Sequence, residues 1–286
     1  MENLLEVRGL CKNYKTFSLQ NISFSLPGGS IMGIVGENGA GKTTTLQLIL
    51  NEIRRDGGIV KIFGKDNIRD EIPIKREIGV VADECRFHSV FNAVDIGKIL
   101  MHVFPTWDGS LFQKYLRDFS IPEKKTIKEY SRGMKMKLSI AAALSHHPRL
   151  LILDEATSGL DPVIRSDILD LLLDFIQDEN HGVLFSSHIT SDLERIADYV
   201  TFLHQGKIIF SQSKDDLLES FGILKCGTSR FSELDKSKLI RYRRGMTECE
   251  ALVKDKDAAR RKYPDLVIDS ATLDDIMVLY AKGEQP

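Results

Sequence analysis

The sequence predicts an α/β protein whose mostly parallel sheet is covered by helices. Continuous apolar runs of strand length alternate with helical patterns along the first 210 residues, as in sheets buried on both faces. A segment with helical patterns alone interrupts them at residues 88–147, and a new mixture of short strands and helices begins at residue 211. We therefore expect a domain over residues 1–210 with a helical subdomain inserted at 88–147, followed by a small C-terminal α/β subdomain over 211–286.

The first elements, between Leu4 and Leu26, are expected to be antiparallel β strands. Apolar and polar residues nearly alternate there, which is the period of a strand with one buried face. Pro27, Gly28 and Gly29 then predict the turn that ends this segment.

Buried strands of the main sheet are predicted at residues 31–35, 78–81, 150–153 and 183–185. Apolar spacing predicts one helix that begins near Lys42 and another from about Ile164 to Gln177. Ser191 and Glu194 have the spacing of a capping box and predict the start of a third helix.

The two remaining parts of the chain are predicted from spacing and charge. In the insertion, aromatic residues such as Trp107, Phe112 and Phe119 recur at helical spacing and are expected to form a core rather than a ligand cage. The C-terminal subdomain reads as short strands and a last helix with a capping box at Thr272 and Asp275. Its residues 225–262 hold 12 Lys or Arg against 6 Asp or Glu. This excess leaves open a solvated surface, contact with anionic lipid, or contact with nucleic acid.

Composition excludes several classes of protein. The chain has 286 residues, with 39 Lys or Arg against 41 Asp or Glu, so it is not a polycation and no nucleic acid partner is expected. No apolar run approaches the roughly 20 residues that span a bilayer, and the N-terminus lacks the pattern of a signal peptide. The four cysteines form no CxxC pair, which argues against a disulfide framework or a structural zinc site.

A phosphate-binding loop is the strongest motif in the sequence. GENGAGKTT at residues 36–44 follows a predicted strand and opens a predicted helix, as the pattern GxxxxGK[ST] requires. Its glycines allow close approach of the backbone to phosphates, Lys42 supplies a point charge, and the Thr43 hydroxyl suits Mg²⁺. The residues expected to contact the nucleotide are Gly36, Glu37, Asn38, Gly39, Ala40, Gly41, Lys42, Thr43 and Thr44. The motif predicts a P-loop NTPase core.

Two adjacent carboxylates end the predicted strand at residues 150–153. In a parallel sheet the carboxyl ends of strands line the ligand crevice, so Asp154 and Glu155 are expected near the phosphate loop. Asp154 is expected to hold Mg²⁺, and Glu155 to position and deprotonate the attacking water.

Together with a loop that precedes this strand, these motifs resemble the ATP-binding cassette (ABC) family over residues 1 to about 210. The family carries a signature loop of the LSGGQ type, and YSRGM at residues 130–134 matches it at Ser131 and Gly133. Tyr130, Arg132 and Met134 replace Leu, Gly and Gln. The same Ser also fits an ordinary helix N-cap.

The resemblance assigns further residues in order along the chain. SGLD at residues 158–161 matches the loop that crosses the dimer interface, and His188 matches the histidine that contacts the γ phosphate. Tyr14 matches the aromatic residue that stacks on adenine, although a core tyrosine fits the sequence equally well. At the position where the family usually has a Gln near Mg²⁺, this chain has Asp83. The departures are similar to those of bacterial exporters whose ATP-binding and membrane subunits are separate chains.

The resemblance implies an ATP-hydrolysing subunit of a membrane transporter. Two ATP-binding subunits, identical or related, would sandwich two ATP molecules head to tail, with Ser131 and Gly133 of one chain facing the phosphate loop of the other. The cofactors implied are ATP and Mg²⁺, the further partner is an integral membrane subunit, and the expected location is the cytoplasmic face of the membrane. The alternatives are a soluble ATPase of the same family, such as one in cofactor assembly, and a nucleotide sensor without hydrolysis, which Glu155 and His188 argue against.

Overall fold

The computed structural model describes residues 3–286. The strands are β1 (Asn3–Asn13), β2 (Ser18–Pro27), β3 (Ser30–Val35), β4 (Gly57–Ile62), β5 (Lys65–Asp66), β6 (Ile78–Val81), β7 (Leu150–Asp154), β8 (Gly182–Ser187), β9 (Tyr199–His204), β10 (Lys207–Ser213), β11 (Gly222–Gly227), β12 (Leu239–Arg244), β13 (Glu248–Val253) and β14 (Val267–Ser270). The α-helices are α1 (Lys42–Ile49), α2 (Glu71–Arg76), α3 (Ala93–Val103), α4 (Gly109–Asp118), α5 (Arg132–Leu144), α6 (Pro162–Phe175), α7 (Thr190–Ile196), α8 (Lys214–Ser220), α9 (Thr228–Ser232), α10 (Lys256–Lys262) and α11 (Leu273–Lys282). Short 3₁₀ helices lie at Ile127–Glu129 and Lys236–Lys238.

The central sheet has the order β10-β9-β3-β8-β7-β6 and is parallel except for the β9–β10 hairpin. This confirms the mostly parallel sheet. Val35 is in register with Ser187, and Asp154 with Ser186, so β3, β7 and β8 end at the same edge. That edge therefore receives the phosphate loop, the two carboxylates and the loop that carries His188.

A second sheet, with the order β2-β1-β4-β5, is antiparallel and confirms the expectation for the N-terminal strands. Its apolar face packs with α1 and one face of the central sheet in a shared core.

Helices α3, α4 and α5 fill the 88–147 insertion and confirm its helical character. Phe112 and Leu116 are buried at its centre, and Trp107, in the turn before α4, contacts Phe112 with ring centroids 5.1 Å apart. The aromatic stripe is thus the core of the insertion, as its spacing predicts.

The C-terminal sheet is antiparallel, with the order β12-β13-β11-β14, and its elements follow the β-α-β-β-α-β order of ferredoxin-like folds. Ion pairs join Arg243 to Glu250 at 2.8 Å and Lys225 to Asp269 at 2.9 Å, so part of the basic excess lies in ion pairs. The boundary predicted after residue 210 falls inside β10, and the C-terminal sheet itself begins at Gly222.

The predicted capping box at Ser191 and Glu194 is wrong. Helix α7 begins at Thr190, and no side chain caps its N-terminus. The Ser191 hydroxyl instead accepts a hydrogen bond from Arg165, and the Glu194 carboxylate accepts one from the backbone N–H of Leu273. Both side chains therefore bind residues that are distant in the sequence and do not cap the N-terminus of α7. The box at Thr272 and Asp275 is present and confirms that prediction.

Candidate nucleotide site

The phosphate loop connects the buried strand β3 to helix α1. Gly41, with φ 108°, is the N-cap of α1 and holds a conformation that a residue with a side chain rarely adopts. A Cβ at Gly36 would lie 2.3 Å from the carbonyl oxygen of Leu203, so only glycine fits against β9. At the edge of the sheet, residues 37–39 and Thr43 of this loop are exposed, where backbone amides can contact phosphate.

Lys42, Glu155 and His188 meet at the carboxyl edge of the sheet. The Lys42 ammonium lies 3.2 Å from Glu155 Oε1 and donates to the carbonyl oxygen of Gly36 at 2.8 Å. The other carboxylate oxygen, Oε2, lies 2.5 Å from His188 Nδ1. Glu155 therefore joins the phosphate loop to the loop after β8.

Asp154 points to a different partner. The Ser186 hydroxyl donates to Asp154 Oδ1 at 2.5 Å, and Asp154 lines a small cavity of about 20 Å³ together with Thr43. That volume suffices for one water-sized occupant. Carboxylate and hydroxyl oxygens are the donors that Mg²⁺ prefers, and Mg²⁺ usually takes one or two carboxylates and fills its remaining positions with water and phosphate. The residues present thus fit Mg²⁺. No group of three or more His, Cys, Asp or Glu suited to a metal occurs in residues 3–286.

A cavity of about 530 Å³ opens beside this group, which is large enough for a nucleotide. It is lined by Phe17, Glu37, Asn38, Gly39, Gly41, Lys42, Thr43, Thr44, Asp83, Arg132, Glu155, Ser158 and His188. The structure therefore brings most of the predicted phosphate-loop and catalytic residues to one cavity.

Besides Asp154, five predicted residues do not line that cavity. Gly36 and Ala40 are buried within the loop, while Tyr14 is 47% exposed and Phe17, 6.5 Å from it between ring centroids, lines the cavity instead. Ser131 and Gly133 also lie outside the lining of their own chain's cavity.

Ser131 and Gly133 have local structural roles at the start of α5. Ser131 Oγ accepts from the backbone N–H of Met134 at 3.2 Å and is the N-cap, as the simpler interpretation predicts. Gly133 is buried, and a Cβ there would lie 2.5 Å from Ile164 Cδ1. The Ser131 side chain remains exposed.

Sequence reasoning missed several residues that build the site. Phe17 and Arg132 line the cavity, Ser186 holds Asp154, and His204 Nδ1 lies 3.0 Å from Glu37 Oε1. Arg132 belongs to the signature loop and could have been suspected. The others stand in strands or loops without a motif.

Comparison with known proteins agrees with this geometry. The sequence profile of the ABC transporter family matches residues 19–158. The bacitracin transport ATP-binding protein BcrA of Bacillus licheniformis is 32% identical over 212 residues, which cover 73% of this chain and 69% of BcrA. This chain belongs to the ABC transporter family of ATP-binding proteins. As a member of the ABC transporter family it binds ATP, and it is an ATPase whose hydrolysis is coupled to transport.

Two further ABC proteins support the same assignment. The lantibiotic transport ATP-binding protein SrtF of Streptococcus pyogenes is 30% identical over 214 residues, covering 74% of this chain and 92% of SrtF. A solved structure described as an ATP-binding subunit of an ABC transporter has a TM-score of 0.69 at 24% identity, over 75% of this chain and 91% of that one. The solved structure bears on the fold, which is that of ABC ATPase domains.

Proposed function

We propose that this ABC subunit hydrolyses ATP at a site shared with a second ATP-binding subunit and drives a separate membrane subunit. The proposed direction of transport is export. The observation that carries the proposal is the position of Glu155 between Lys42 and His188 at the mouth of the nucleotide cavity. A carboxylate there can accept a proton from water, while the phosphate loop holds the group that water attacks.

The roles of individual residues follow from their places. Lys42, which pairs with Glu155 in this structure, would turn to the β and γ phosphates, and this change would free the carboxylate to act as a general base. His188, exposed and in contact with Glu155, would orient that carboxylate and contact the γ phosphate. Backbone amides from Glu37 to Thr44 would bind the phosphate oxygens, and Tyr14, beside Phe17, would stack on adenine.

Thr43 and Asp154 would hold Mg²⁺, and Asp83, which lines the same nucleotide cavity, would accept from a water on the ion. When bound, the ion would neutralise charge on the β and γ phosphates. Ser186 fixes the carboxylate of Asp154 for this task by donating to Oδ1.

The second ATP-binding subunit is proposed because one chain supplies only part of a closed site. Ser131 is exposed at the N-terminus of α5 and lies outside its own cavity. While its Oγ accepts from Met134, its hydroxyl hydrogen and the backbone amides of Arg132 and Gly133 can still donate to phosphates held by another chain. Either a second copy or a related subunit would supply the other half.

We propose that a membrane subunit docks in an apolar groove beside β6. A cavity of about 350 Å³ there is lined mainly by apolar residues of β6, α3 and α5, including Val80, Leu100 and Phe104. On α3, the side chains of Met101 and Val103 remain more than half exposed. Apolar surface of this kind is typical of a protein interface. No helix within residues 3–286 combines the length and apolar character needed to cross a bilayer. Because the proposed partner is a membrane subunit, the proposal includes a location at the cytoplasmic face of the membrane.

Substitution of Glu155 by Gln tests the catalytic proposal. Glu155→Gln should retain ATP binding and lose nearly all turnover, since an amide can hydrogen-bond water but cannot accept its proton; general bases contribute roughly 10² to 10⁴ in rate. Phosphate release and direct ATP binding are measured on the same preparations, with Glu248→Gln, on the exposed C-terminal hairpin, as the control. Turnover near the wild-type rate in Glu155→Gln would refute the general-base role.

A further inference from the structure

Two oppositely charged residues that line the nucleotide cavity, Asp83 and Arg132, have no ion-pair partner among the described residues. Asp83 follows β6, and Arg132 is the first residue of α5. Both line the nucleotide cavity, and both line an adjoining cavity of about 370 Å³ that runs between the loop after β6 and the start of α5. They therefore line the same two adjoining cavities.

Neither charge is paired in the structure. Asp83 Oδ1 accepts only from the backbone N–H of Glu84 at 2.8 Å, and within residues 3–286 no Lys, Arg or His nitrogen lies within 4.0 Å of its carboxylate. The Arg132 guanidinium rests over Gly159, where an added Cβ would lie 3.0 Å from Nη1. Across the same described range, Arg132 has no carboxylate partner. Because Gly159 has no side chain, the Arg132 guanidinium can occupy the space beside it.

The other charged groups that line the nucleotide cavity already have partners. Lys42 and His188 both contact Glu155, and Glu37 contacts His204. Asp83 and Arg132 are therefore the unpaired charges of this cavity, among the residues that the structure describes. A triphosphate brings several negative charges into the same space, and an uncompensated Asp83 would repel it.

We propose that Arg132 is a positioning residue that compensates the carboxylate of Asp83 in the nucleotide cavity and so permits a triphosphate to bind beside an acidic residue. The proposal rests on the ATP site proposed above. Because Arg132 begins α5, the same pair would also link the loop after β6 to the helix that carries the signature loop. The benefit of Arg132 for nucleotide binding then exists only while residue 83 carries a negative charge.

A double-mutant cycle on nucleotide affinity tests this dependence. The affinity for a non-hydrolysable ATP analogue with Mg²⁺ is measured for the wild type, Arg132→Gln, Asp83→Asn and the double variant, all with Glu155 intact. Arg132→Gln should weaken binding about five- to tenfold in the wild-type background and less than about twofold in the Asp83→Asn background, as expected if one charge compensates the other in the nucleotide-bound state. Asn keeps an acceptor oxygen, so the change removes charge and little else.

The control variant for this cycle is Lys135→Gln. Lys135→Gln removes a cation of the same helix that lines the adjoining cavity and not the nucleotide cavity, and its affinity should match the wild type. Equal losses for Arg132→Gln in both backgrounds would overturn the proposal, since they would show direct contact with phosphate. No loss in either background would also overturn it. Failure of the wild type itself to bind the analogue would instead refute the ATP site.

Discussion

At the scale of single residues, Glu155 stands out because its backbone conformation is unusual. Its φ is 52°, in the left-handed region that residues other than glycine seldom occupy. At this turn the two adjacent carboxylates contact different partners. Asp154 accepts a hydrogen bond from Ser186, whereas Glu155 contacts Lys42 and His188. Such conformations cost about 1 to 3 kcal/mol and persist where the surroundings fix them. We infer that this turn separates metal binding from proton transfer.

His146 provides a test of stability against pH. Its ring is buried against Phe104 with centroids 4.0 Å apart, and Nε2 lies 3.1 Å from the carbonyl oxygen of Ile78. Burial, which disfavours the charged imidazolium, lowers the pKa of His146 in the folded chain. The unfolded chain therefore binds more protons as the pH falls below about 6.5, and the free energy of unfolding should decrease there.

The variant His146→Gln tests this contribution. It should reduce the fall in the free energy of unfolding below about pH 6.5. Urea unfolding at several pH values gives the slope, and His102→Gln, at an exposed position of α3, serves as the control. An unchanged slope in His146→Gln would contradict the contribution assigned to the buried ring.

Motif spacing could predict Lys42 and Glu155, because each follows a buried strand of recognisable pattern, and the family resemblance predicted His188. Neither could predict Phe17, in the loop between β1 and β2, or Ser186 in β8, since both reach the site through tertiary structure and carry no spacing of their own. The positions of these two residues at the site follow from the tertiary structure and not from a sequence motif.

At the scale of elements, four strands of the central sheet, β3, β6, β7 and β8, and the helices of the insertion were predictable because burial on both faces and helical periodicity leave strong patterns. Strand β11, Gly222–Gly227, was not, since GILKCG begins and ends with glycine and holds a lysine that pairs across the sheet. The capping box at Ser191 failed for the opposite reason, because a correct local pattern lost to tertiary hydrogen bonds.

Packing at the N-terminus of α5 yields a prediction for this element. Gly133→Ala should lower the free energy of unfolding by about 1 kcal/mol or less, because the added Cβ would lie 2.5 Å from Ile164 Cδ1 and this end of the side chain must shift. Ile164→Val deletes that δ carbon and should make the Gly133→Ala change smaller in the double variant. Urea unfolding of all four proteins measures the coupling. Independent effects would show that Gly133 is not required by this contact.

At the scale of the whole molecule, the C-terminal subdomain is built into the main core. Tyr280 of α11 packs on Phe202 of β9 with ring centroids 5.7 Å apart, and Glu194 of α7 accepts from the first residue of α11. Ile223 and Leu252 belong to the same apolar cluster as the central sheet. This long-range packing is invisible in the sequence, where only a change of pattern near residue 211 marks the transition.

Ser131 is exposed at the N-terminus of α5 and lies outside the lining of its own chain's nucleotide cavity, so the central claim concerns two chains rather than one. Glu155→Gln should accumulate an ATP-bound dimer if Ser131 of each chain meets the nucleotide held by the other. An arginine at residue 131 would fill that contact with a bulky side chain while leaving the phosphate loop of its own chain intact.

The most direct test is size-exclusion chromatography of Glu155→Gln with and without Ser131→Arg, each in the presence of ATP and Mg²⁺. Glu155→Gln should elute as a dimer, and the Ser131→Arg variant in that background should remain monomeric while it still binds ATP. Ser232→Arg, at an exposed position of α9, is the matched control and should dimerise. An ATP-dependent dimer that forms equally well with Ser131→Arg would contradict the shared site.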